Sequence, residues 1–311
     1  MEKKQRIFVT GATGFIGSAI VKELTGNGYR VLGLARSDVA AAALAAAGAD
    51  VHRGSLDDVE SLRSGAANSD GVIHTAFNHD FSRWKENSEN DRRAIEALGQ
   101  ALAGSKRRLI VTSGTALLTP GRLATEDVKP TLTSNEIPRI ASEEAADVVA
   151  AQGVNVSVVR LPPSVHGEGD HGFVPALIGL AREKGVCAYI GDGLNRWPAV
   201  HRLDAAQVFV RAFEEGAAGA RYHGVGDEGV AFREIAETIG RHLDVRTASL
   251  SPERSADHFG WLAHFAAIDC PASSAWTQAQ LAWHPTHIGL LEDLERGHYF
   301  EMREQLRGGA A

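Results

Sequence analysis

Three glycines near the start of the chain constrain its fold more than any other feature. Gly11, Gly14 and Gly17 are spaced three residues apart. An apolar run, Ile7–Val9, precedes them, and a stretch with helical character begins at Phe15. A Cβ atom would block a tight turn at the first position, the approach of a phosphate at the second, and close helix packing at the third. The pattern therefore predicts a strand, a tight turn and a helix that starts over the turn.

The start of this helix is predicted to bind a phosphate group. Its first N–H groups have no partner within the helix, and the helix dipole places partial positive charge there. Between a strand and a helix, with further strands and helices downstream, this glycine spacing is typical of a dinucleotide pyrophosphate site. The alternative is a glycine turn without a ligand. The residues predicted to bind the pyrophosphate are Gly11, Thr13, Gly14, Phe15, Ile16 and Gly17.

Short strands rich in Val, Ile and Leu alternate with helices through the first half of the chain. Such strands are typical of a parallel sheet covered on both faces, so we predict a doubly wound α/β fold. The predicted strands are Arg6–Thr10, Arg30–Ala35, Asp50–Arg53, Gly71–Thr75, Arg107–Thr112 and Asn155–Leu161. The predicted helices are Phe15–Gly26, Asp38–Ala47, Asp57–Ala66, Asn87–Ala103 and Glu136–Ala151, the third capped by Ser55 or Asp57.

The alternation changes after about Leu161. Residues 162–170 and 191–198 are rich in proline or glycine and are predicted to be loops. The tail contains several tryptophans, histidines and prolines instead of regular apolar strands. We therefore predict a dinucleotide-binding domain over residues 1–165, to which 200–230 return, and a smaller substrate-binding lid made of 166–199 and 231–311.

Charge and composition exclude several kinds of partner. The net charge is −7 and no block of Lys and Arg stands out, so we predict neither a nucleic-acid partner nor a membrane-surface helix. No apolar run approaches the length of about 18 residues that a membrane span requires. Cys187, Cys270 and the histidines match no metal-ligand spacing, so we predict no metal. Because Met1–Arg6 leads into a strand, we expect a cytoplasmic protein without a signal peptide.

Further motifs follow the predicted strand ends. They are His74–Phe77, Asn90, Thr112–Thr115, Arg160–Gly167 and Trp197–Ala206, with His201 and Asp204 in register. Together with the glycine segment, these motifs resemble the extended short-chain dehydrogenase/reductase superfamily, in its NAD-dependent epimerase/dehydratase branch. The resemblance covers most of the chain and implies a Rossmann fold.

The resemblance also implies cofactor contacts beyond the glycine turn. Ser55 stands where the superfamily often has an Asp near the adenine. The implied contacts are Ser55, Leu56, Thr75, Ala76, Phe77, Thr112, Pro162, Ser164 and Val165. Relatives often dimerise through two long helices, here Asn87–Ala103 and Glu136–Ala151, so we expect a homodimer that acts on a small-molecule substrate.

One departure from the superfamily concerns its catalytic pair, Tyr-x-x-x-Lys. The corresponding register contains Arg139 and Glu143. In the pair, the lysine cation lowers the pKa of the tyrosine, which then exchanges a proton with the substrate oxygen. Arginine stays protonated and cannot do this. The resemblance therefore implies an atypical member whose proton chemistry differs from that of the superfamily.

The end of the second strand predicts the choice of cofactor. NAD-specific sites place a carboxylate there, which binds the ribose 2′-hydroxyl. Here Ala35 occupies that position, and Arg36 and Ser37 follow. A guanidinium pairs well with a phosphate, so we predict NADP(H) in preference to NAD(H). The alternative is that Arg36 is a solvated surface residue.

Several side chains are candidates for the substrate chemistry. Ser113 lies at a predicted strand end beside the expected nicotinamide, and Thr115 competes with it because the register is uncertain. Arg139 is predicted either to stabilise an oxyanion or to pair on a helix surface with Glu143. Histidine is the natural acid at neutral pH, and His166 follows the sixth strand. The alternative histidines are His79, His171 and His201.

Three functions fit these features. The first is an NADP(H)-dependent oxidoreductase acting on a small carbonyl compound or alcohol, with Ser113, Arg139 and His166 as its catalytic candidates. The second is a nucleotide-sugar epimerase or dehydratase, which the branch of the superfamily favours and the absent tyrosine disfavours. The third is a catalytically silent protein that binds NADP(H) as a sensor.

Overall fold

A seven-stranded parallel sheet organises the first part of the protein. The structure is a computed structural model and describes residues 5–301. The strands are β1 (Arg6–Thr10), β2 (Arg30–Ala35), β3 (Asp50–Arg53), β4 (Gly71–His74), β5 (Arg108–Gly114), β6 (Asn155–Leu161) and β10 (Arg221–His223). They are arranged in the order β10-β6-β5-β4-β1-β2-β3, and every pair is parallel. The predicted doubly wound α/β fold is confirmed.

Helices cover both faces of this sheet because successive strand residues alternate between the two sides. In β1, Ile7 and Val9 pack into one core and Phe8 into the other. The first face is covered by α1 (Phe15–Gly26), α2 (Asp38–Ala46) and α7 (Arg202–Glu215). The second face is covered by α3 (Val59–Ala67), α4 (Trp84–Leu102) and α5 (Ala141–Ala151).

The remaining elements form a smaller body with its own apolar core. Its strands are β7 (Ser164–His166), β8 (Val186–Ile190), β9 (Arg196–His201), β11 (Asp227–Ala231) and β12 (Arg246–Leu250). They make a three-stranded sheet, β11-β9-β7, and a two-stranded one, β12-β8. The helices are α6 (Phe173–Lys184), α8 (Phe232–Leu243), α9 (Pro252–Phe259), α10 (Ala263–Ala267) and α12 (Leu290–Glu295). Helix α11 (Ala275–Leu281) instead packs against α7 and β10, with Leu281 in the core of the first sheet face. Residues 1–4 and 302–311 of the predicted domains lie outside the described residues.

Several predicted boundaries were wrong. The helix predicted from Asn87 begins at Trp84, and the one predicted from Glu136 begins at Ala141, after a 3-10 turn at Pro138–Ile140. The third helix is capped by Asp58, which accepts a hydrogen bond from the Ser61 N–H, and not by Ser55 or Asp57. No helix between residues 5 and 301 has the length and apolar character needed to cross a membrane.

Two segments predicted to be loops contain strand residues. Ser164–His166 pairs in parallel with β9, and Arg196–Pro198 opens β9 itself. These pairings join segments more than 30 residues apart, which the local proline and glycine content could not indicate.

Candidate active site

The glycine turn between β1 and α1 has no room for side chains. Gly11 has φ +68°, and a Cβ atom there would lie 2.7 Å from the Ala76 nitrogen. A Cβ atom on Gly17 would lie 2.0 Å from the Gly11 carbonyl oxygen. The Gly14 N–H donates to that same oxygen at 2.8 Å. The roles predicted for the first and third glycines, a left-handed turn and close helix packing, are therefore present in the structure.

The N-terminus of α1 is open to a ligand. Gly14 is its N-cap residue, and no side chain caps the first turn. Thr13 and Gly14 are exposed, while Phe15 and Ile16 are partly buried beside them. Backbone N–H groups in the first turn of a helix lack intrahelical partners, and the helix dipole adds positive charge. This cradle, which side chains would fill, fits the pyrophosphate of a dinucleotide.

The end of β2 carries two guanidinium groups on the adjacent surface. Arg36 is exposed and has no hydrogen bond or ion pair with any residue described in the structure. Arg53, the residue opposite Ala35 in the β2–β3 register, pairs with Asp38 at 2.6 Å. Ser37 caps α2 through its hydroxyl, which accepts from the Ala40 N–H at 3.2 Å.

The loop between β3 and α3 follows the same edge of the sheet. Ser55 and Leu56 are partly buried there, and Leu56 packs against the core of the second face. Because the carboxyl ends of parallel strands form the ligand-binding edge of an open α/β sheet, these two residues lie on the correct edge for the predicted adenine contact.

The ends of β4 and β5 are tied to the glycine turn. Thr75 Oγ1 donates to the Thr10 carbonyl oxygen at 2.8 Å, and the Ala76 N–H donates to Thr10 Oγ1 at 3.3 Å. Thr112 Oγ1 donates to the His74 carbonyl oxygen at 2.8 Å. The predicted contacts Thr75 and Ala76 thus lie beside Gly11, and Thr112 is bonded to the end of β4.

The segment after β6 is more buried than its predicted contact with a cofactor requires. Pro162 and Ser164 are buried, and Ser164 Oγ has no hydrogen-bond partner among residues 5–301. Val165 packs against the core of the first sheet face. A buried hydroxyl without a partner is unusual, and it is consistent with a polar group that is satisfied when a ligand is bound.

Arg139 is held in a buried polar chain. Its Nη1 lies 3.0 Å from Asp91 Oδ2 and contacts the Ser142 hydroxyl, while Nη2 donates to the Thr112 carbonyl oxygen at 3.1 Å. Only 12% of its side chain is exposed, and its guanidinium lies 4.1 Å from the centre of the Phe77 ring. The alternative that Arg139 is a surface residue paired with Glu143 is wrong.

The polar chain continues from Asp91 to the glycine turn. His74 Nε2 lies 2.9 Å from Asp91 Oδ1, and His74 Nδ1 lies 2.7 Å from Thr10 Oγ1. Burial alone would raise the pKa of Asp91, but Arg139 and His74 outweigh it and hold that pKa below its usual value. The carboxylate is therefore charged at neutral pH and fixes the orientation of Arg139.

Ser113 is bound to a second buried network. Its hydroxyl donates to Glu143 Oε1 at 2.8 Å, and the same carboxylate receives two hydrogen bonds from Arg160, at 2.7 and 2.8 Å. Thr115 is also buried, but its hydroxyl has no partner among the described residues. Of the two competing hydroxyls, Thr115 is the one that is free to bind another group.

The histidine candidates lie in different environments. His166 is fully buried, with Nδ1 2.9 Å from Asp293 Oδ2, so it does not reach the surface of the described protein. His201 caps α7 by accepting from the Leu203 N–H at 3.3 Å. His79 lies beside Phe77, with ring centres 5.1 Å apart. His79 is exposed to solvent at this position.

A family model matches residues 7–225, which contain both the glycine turn and the strand ends described above. The chain belongs to the NAD-dependent epimerase/dehydratase family. The resemblance predicted from the motifs is confirmed, and the chain belongs to an enzyme family that uses NAD(P).

The family member has relatives along nearly its whole length. An uncharacterized protein of Schizosaccharomyces pombe is 51% identical over 296 residues, covering 95% of this chain and all of the relative. A 4-hydroxy-2-methyl-3-oxo-4-farnesyl-3,4-dihydroquinoline-1-oxide ketoreductase of Stigmatella aurantiaca is 27% identical, covering 82% of this chain and 79% of the relative. A dTDP-glucose 4,6-dehydratase structure from Streptomyces venezuelae with NAD bound has a TM-score of 0.76 at 20% identity, covering 96% and 98% of the two chains. This last likeness concerns the fold alone.

Two buried polar residues of this family member, Asp91 and His74, were not predicted to be parts of the site. Asp91 and His74 are buried and connect Arg139 to the glycine turn, although the prediction singled out Asn90 on the same helix. Asn90 instead donates to Asp57 at 3.1 Å near the surface. A histidine at the end of an otherwise apolar, four-residue strand was the available signal, because a buried imidazole requires a polar partner.

Proposed function

We propose that the protein is an NADP(H)-dependent oxidoreductase that acts on a small carbonyl compound or alcohol. The observation that carries the proposal is the unpaired guanidinium of Arg36 at the end of β2, beside a complete glycine cradle and without a carboxylate at position 35. Arg36 and Ser37 would hold the 2′-phosphate, because a guanidinium binds phosphate with charge-assisted hydrogen bonds.

The remaining cofactor contacts are proposed from the positions of the predicted residues at the strand ends. The backbone of Gly11–Gly17 would hold the pyrophosphate, and Ser55 and Leu56 the adenine. The nicotinamide end would lie along the ends of β4, β5 and β6. The candidate contacts there are Thr75, Ala76, Phe77, Thr112, Pro162, Ser164 and Val165. When bound, the nicotinamide supplies or accepts the hydride, so the protein has to orient the substrate and manage one proton.

Arg139 is proposed to stabilise negative charge on the substrate oxygen. A guanidinium has five N–H donors, and its Nε–H and one Nη2 hydrogen have no partner among the described residues. Asp91 and the Thr112 carbonyl fix the group in advance, which is the property that makes such electrostatic stabilisation effective. A permanently charged guanidinium does not release a proton, so it acts by orientation and charge only.

The proton is proposed to reach the substrate oxygen by way of Thr115 or water. The Thr115 hydroxyl is without a partner, whereas Ser113 already donates to Glu143. His79 is exposed to solvent beside Phe77, where its imidazole can offer a hydrogen bond. Ser113 and His166 remain predictions, and their buried partners disfavour direct contact with a substrate.

Two alternative functions, a nucleotide-sugar epimerase or dehydratase and a silent sensor, fit some of the same observations. A nucleotide-sugar epimerase or dehydratase is favoured by the family, but the register of its tyrosine and lysine contains Arg139 and Glu143, each in a buried ion pair. A catalytically silent sensor would not need the tyrosine and lysine, so it would also account for Arg139 and Glu143 at their positions. The ketoreductase relative favours the oxidoreductase over both alternatives.

We also propose that the protein forms a homodimer through α4 and α5. Light scattering tests this proposal by measuring the molar mass of the protein in solution.

Turnover assays distinguish the three functions. The protein is incubated with NADPH and a panel of aldehydes and ketones, and the loss of NADPH absorbance is followed. Carbonyl-dependent oxidation of NADPH supports the oxidoreductase. Tight binding of NADPH with no turnover across the panel supports the sensor. Copurified NAD together with conversion of a UDP- or dTDP-sugar supports the epimerase or dehydratase and contradicts the proposal.

A further inference from the structure

Six aromatic side chains lie together between the end of β4 and the smaller body. Three belong to the segment that follows β4 and three to the segments around α6 and α10. We call this group the aromatic cluster. Its members are Phe77, Phe81, Trp84, Phe173, Trp261 and Phe265.

Phe81 is sandwiched at the centre of the cluster. Its ring lies 4.8 Å from the ring of Trp84 at an interplanar angle of 17°. On the other side, the ring of Trp261 is 4.5 Å away at 22°. Because Trp84 belongs to the sheet domain and Trp261 to the smaller body, the two indoles form the facing walls of a slot that holds one flat ring.

Four members of the cluster, Phe77, Phe81, Trp84 and Trp261, lie outside the hydrophobic cores, whereas Phe173 and Phe265 pack against the core of the smaller body. Trp261 is 52% exposed, and Phe81 and Trp84 are partly exposed. By contrast, Trp197 and Phe232 in the core of the smaller body are fully buried. Exposed aromatic surface gathered between two bodies of a protein is typical of a ligand site.

The polar groups beside the cluster match an uncharged ligand with one polar end. The Arg139 guanidinium stacks on Phe77 and is already neutralised by Asp91. The neighbouring imidazole of His79 is exposed to solvent. Trp84 touches both Phe77 and Phe81, so along this chain of contacts the rings of Trp84 and Phe77 lie between the place of Phe81 and the Arg139 guanidinium.

We propose that the aromatic cluster is the substrate site and binds the flat ring of an aromatic carbonyl compound or alcohol in the place that Phe81 now fills between Trp84 and Trp261. The inference rests on the proposed function, since it names the substrate class of that site. Phe81 acts as a place-holder on a short 3-10 turn, Phe81–Arg83, and leaves the slot when the substrate enters. Stacked rings favour a flat ligand over a puckered one of similar size.

The test measures binding without turnover. Acetophenone and its saturated counterpart, cyclohexyl methyl ketone, are titrated separately into the full protein by ligand-observed NMR, with and without NADP⁺. Neither mixture turns over, because the oxidised cofactor cannot reduce a ketone. We expect acetophenone to bind about tenfold more tightly than cyclohexyl methyl ketone.

Three variants locate the site. Trp261→Ala removes one wall and is expected to weaken acetophenone binding about tenfold. Phe81→Ala removes the place-holder and is expected to strengthen it, because no side chain has to be displaced. Trp276→Ala is the matched control, since Trp276 is 42% exposed and stacks on Tyr222 outside the cluster. It is expected to leave acetophenone binding unchanged.

The outcomes separate the inference from the proposed function. Equal binding of the two ketones, no binding of either, an unchanged affinity in Trp261→Ala, or a weaker one in Phe81→Ala overturns the inference. An equal loss in Trp276→Ala does so too. NADPH titrated in parallel reports on the proposed function: if NADPH does not bind while acetophenone binds as expected, the function fails and the aromatic site stands.

Discussion

Glu143 and Arg160 form a two-fold hydrogen-bonded ion pair, with N–O distances of 2.7 and 2.8 Å, that is almost entirely removed from solvent. Burial alone would raise the pKa of Glu143, but Arg160 and the Ser113 hydroxyl outweigh it and hold the pKa below its usual value. The pair joins α5 to β6, and Arg160 also donates to the Val128 carbonyl oxygen at 2.8 Å. Position 143 is therefore structural.

Glu143→Gln is expected to destabilise the protein by about 3–5 kcal/mol, because it leaves the buried Arg160 cation without its counter-charge. The matched control is Glu144→Gln, the next residue, whose partly exposed pair with Arg92 is worth about 0–1 kcal/mol. Urea denaturation of both variants measures the difference. Equal losses of stability would mean that the buried Glu143 pair contributes no more to the free energy of unfolding than the Glu144 pair does.

Gly17→Ala is expected to abolish dinucleotide binding and lower stability, because the new Cβ atom would meet the Gly11 carbonyl oxygen. Gly26→Ala, in the same helix, has open space at its Cβ position and is expected to be neutral or stabilising by about 1 kcal/mol. Calorimetric titration with NADPH and thermal unfolding compare the two. Normal binding by Gly17→Ala contradicts the described turn.

Arg139→Met is expected to lower kcat/KM for a carbonyl substrate by about 10²–10³, the usual effect of losing one oxyanion donor. The Kd for NADPH is expected to stay within about twofold, since Arg139 is proposed to contact the substrate. Arg83→Met, in the neighbouring turn, is the control because Arg83 pairs only locally with Glu86. A loss confined to NADPH affinity would reassign Arg139 to the cofactor.

Acid is expected to destabilise the protein from about pH 6.5 down to pH 4. Burial lowers the pKa values of His201 and His223 to about 4, below the ordinary value of 6.5. In that window the unfolded chain binds more protons than the folded one, so stability falls as pH falls, by at most about 1.4 kcal/mol per pH unit for each histidine.

Urea midpoints measured across this range test the pH dependence. His201→Asn keeps a cap for α7 but removes one titrating group, so its stability should fall less steeply between pH 6.5 and 4.5. His264→Gln, at an exposed position, is the control and should retain the wild-type slope. A flat profile in the wild-type protein contradicts the burial of these imidazoles as uncharged groups.

The sheet and the glycine turn were predictable because their signals are local. Apolar runs located β1, β2 and β6 with correct bounds, and the glycine spacing located the start of α1. The predicted bounds of β3 are also correct, although Val51 is its one apolar residue. Each of these features depends on residues within about ten positions, so the sequence pattern carries the necessary information.

The partners of the charged residues were not predictable in this way. Arg139 pairs with Asp91 across 48 positions, and His166 with Asp293 across 127. Helical spacing suggested instead that Arg139 and Glu143 pair with each other, but the fold offers each a buried partner. Arg160 in an apolar strand was a usable sign, because a buried guanidinium requires an acid. Which acid pairs with Arg160 depends on the tertiary fold.

Calorimetric titration with NADPH and NADH tests the central claim most directly. We expect the wild-type protein to bind NADPH at least about tenfold more tightly than NADH, and Arg36→Ala to weaken NADPH about 10- to 100-fold while leaving NADH unchanged. Arg30→Ala is the matched control, since Arg30 is an exposed arginine at the other end of β2. Equal affinities for the two cofactors, or no loss in Arg36→Ala, would contradict the account.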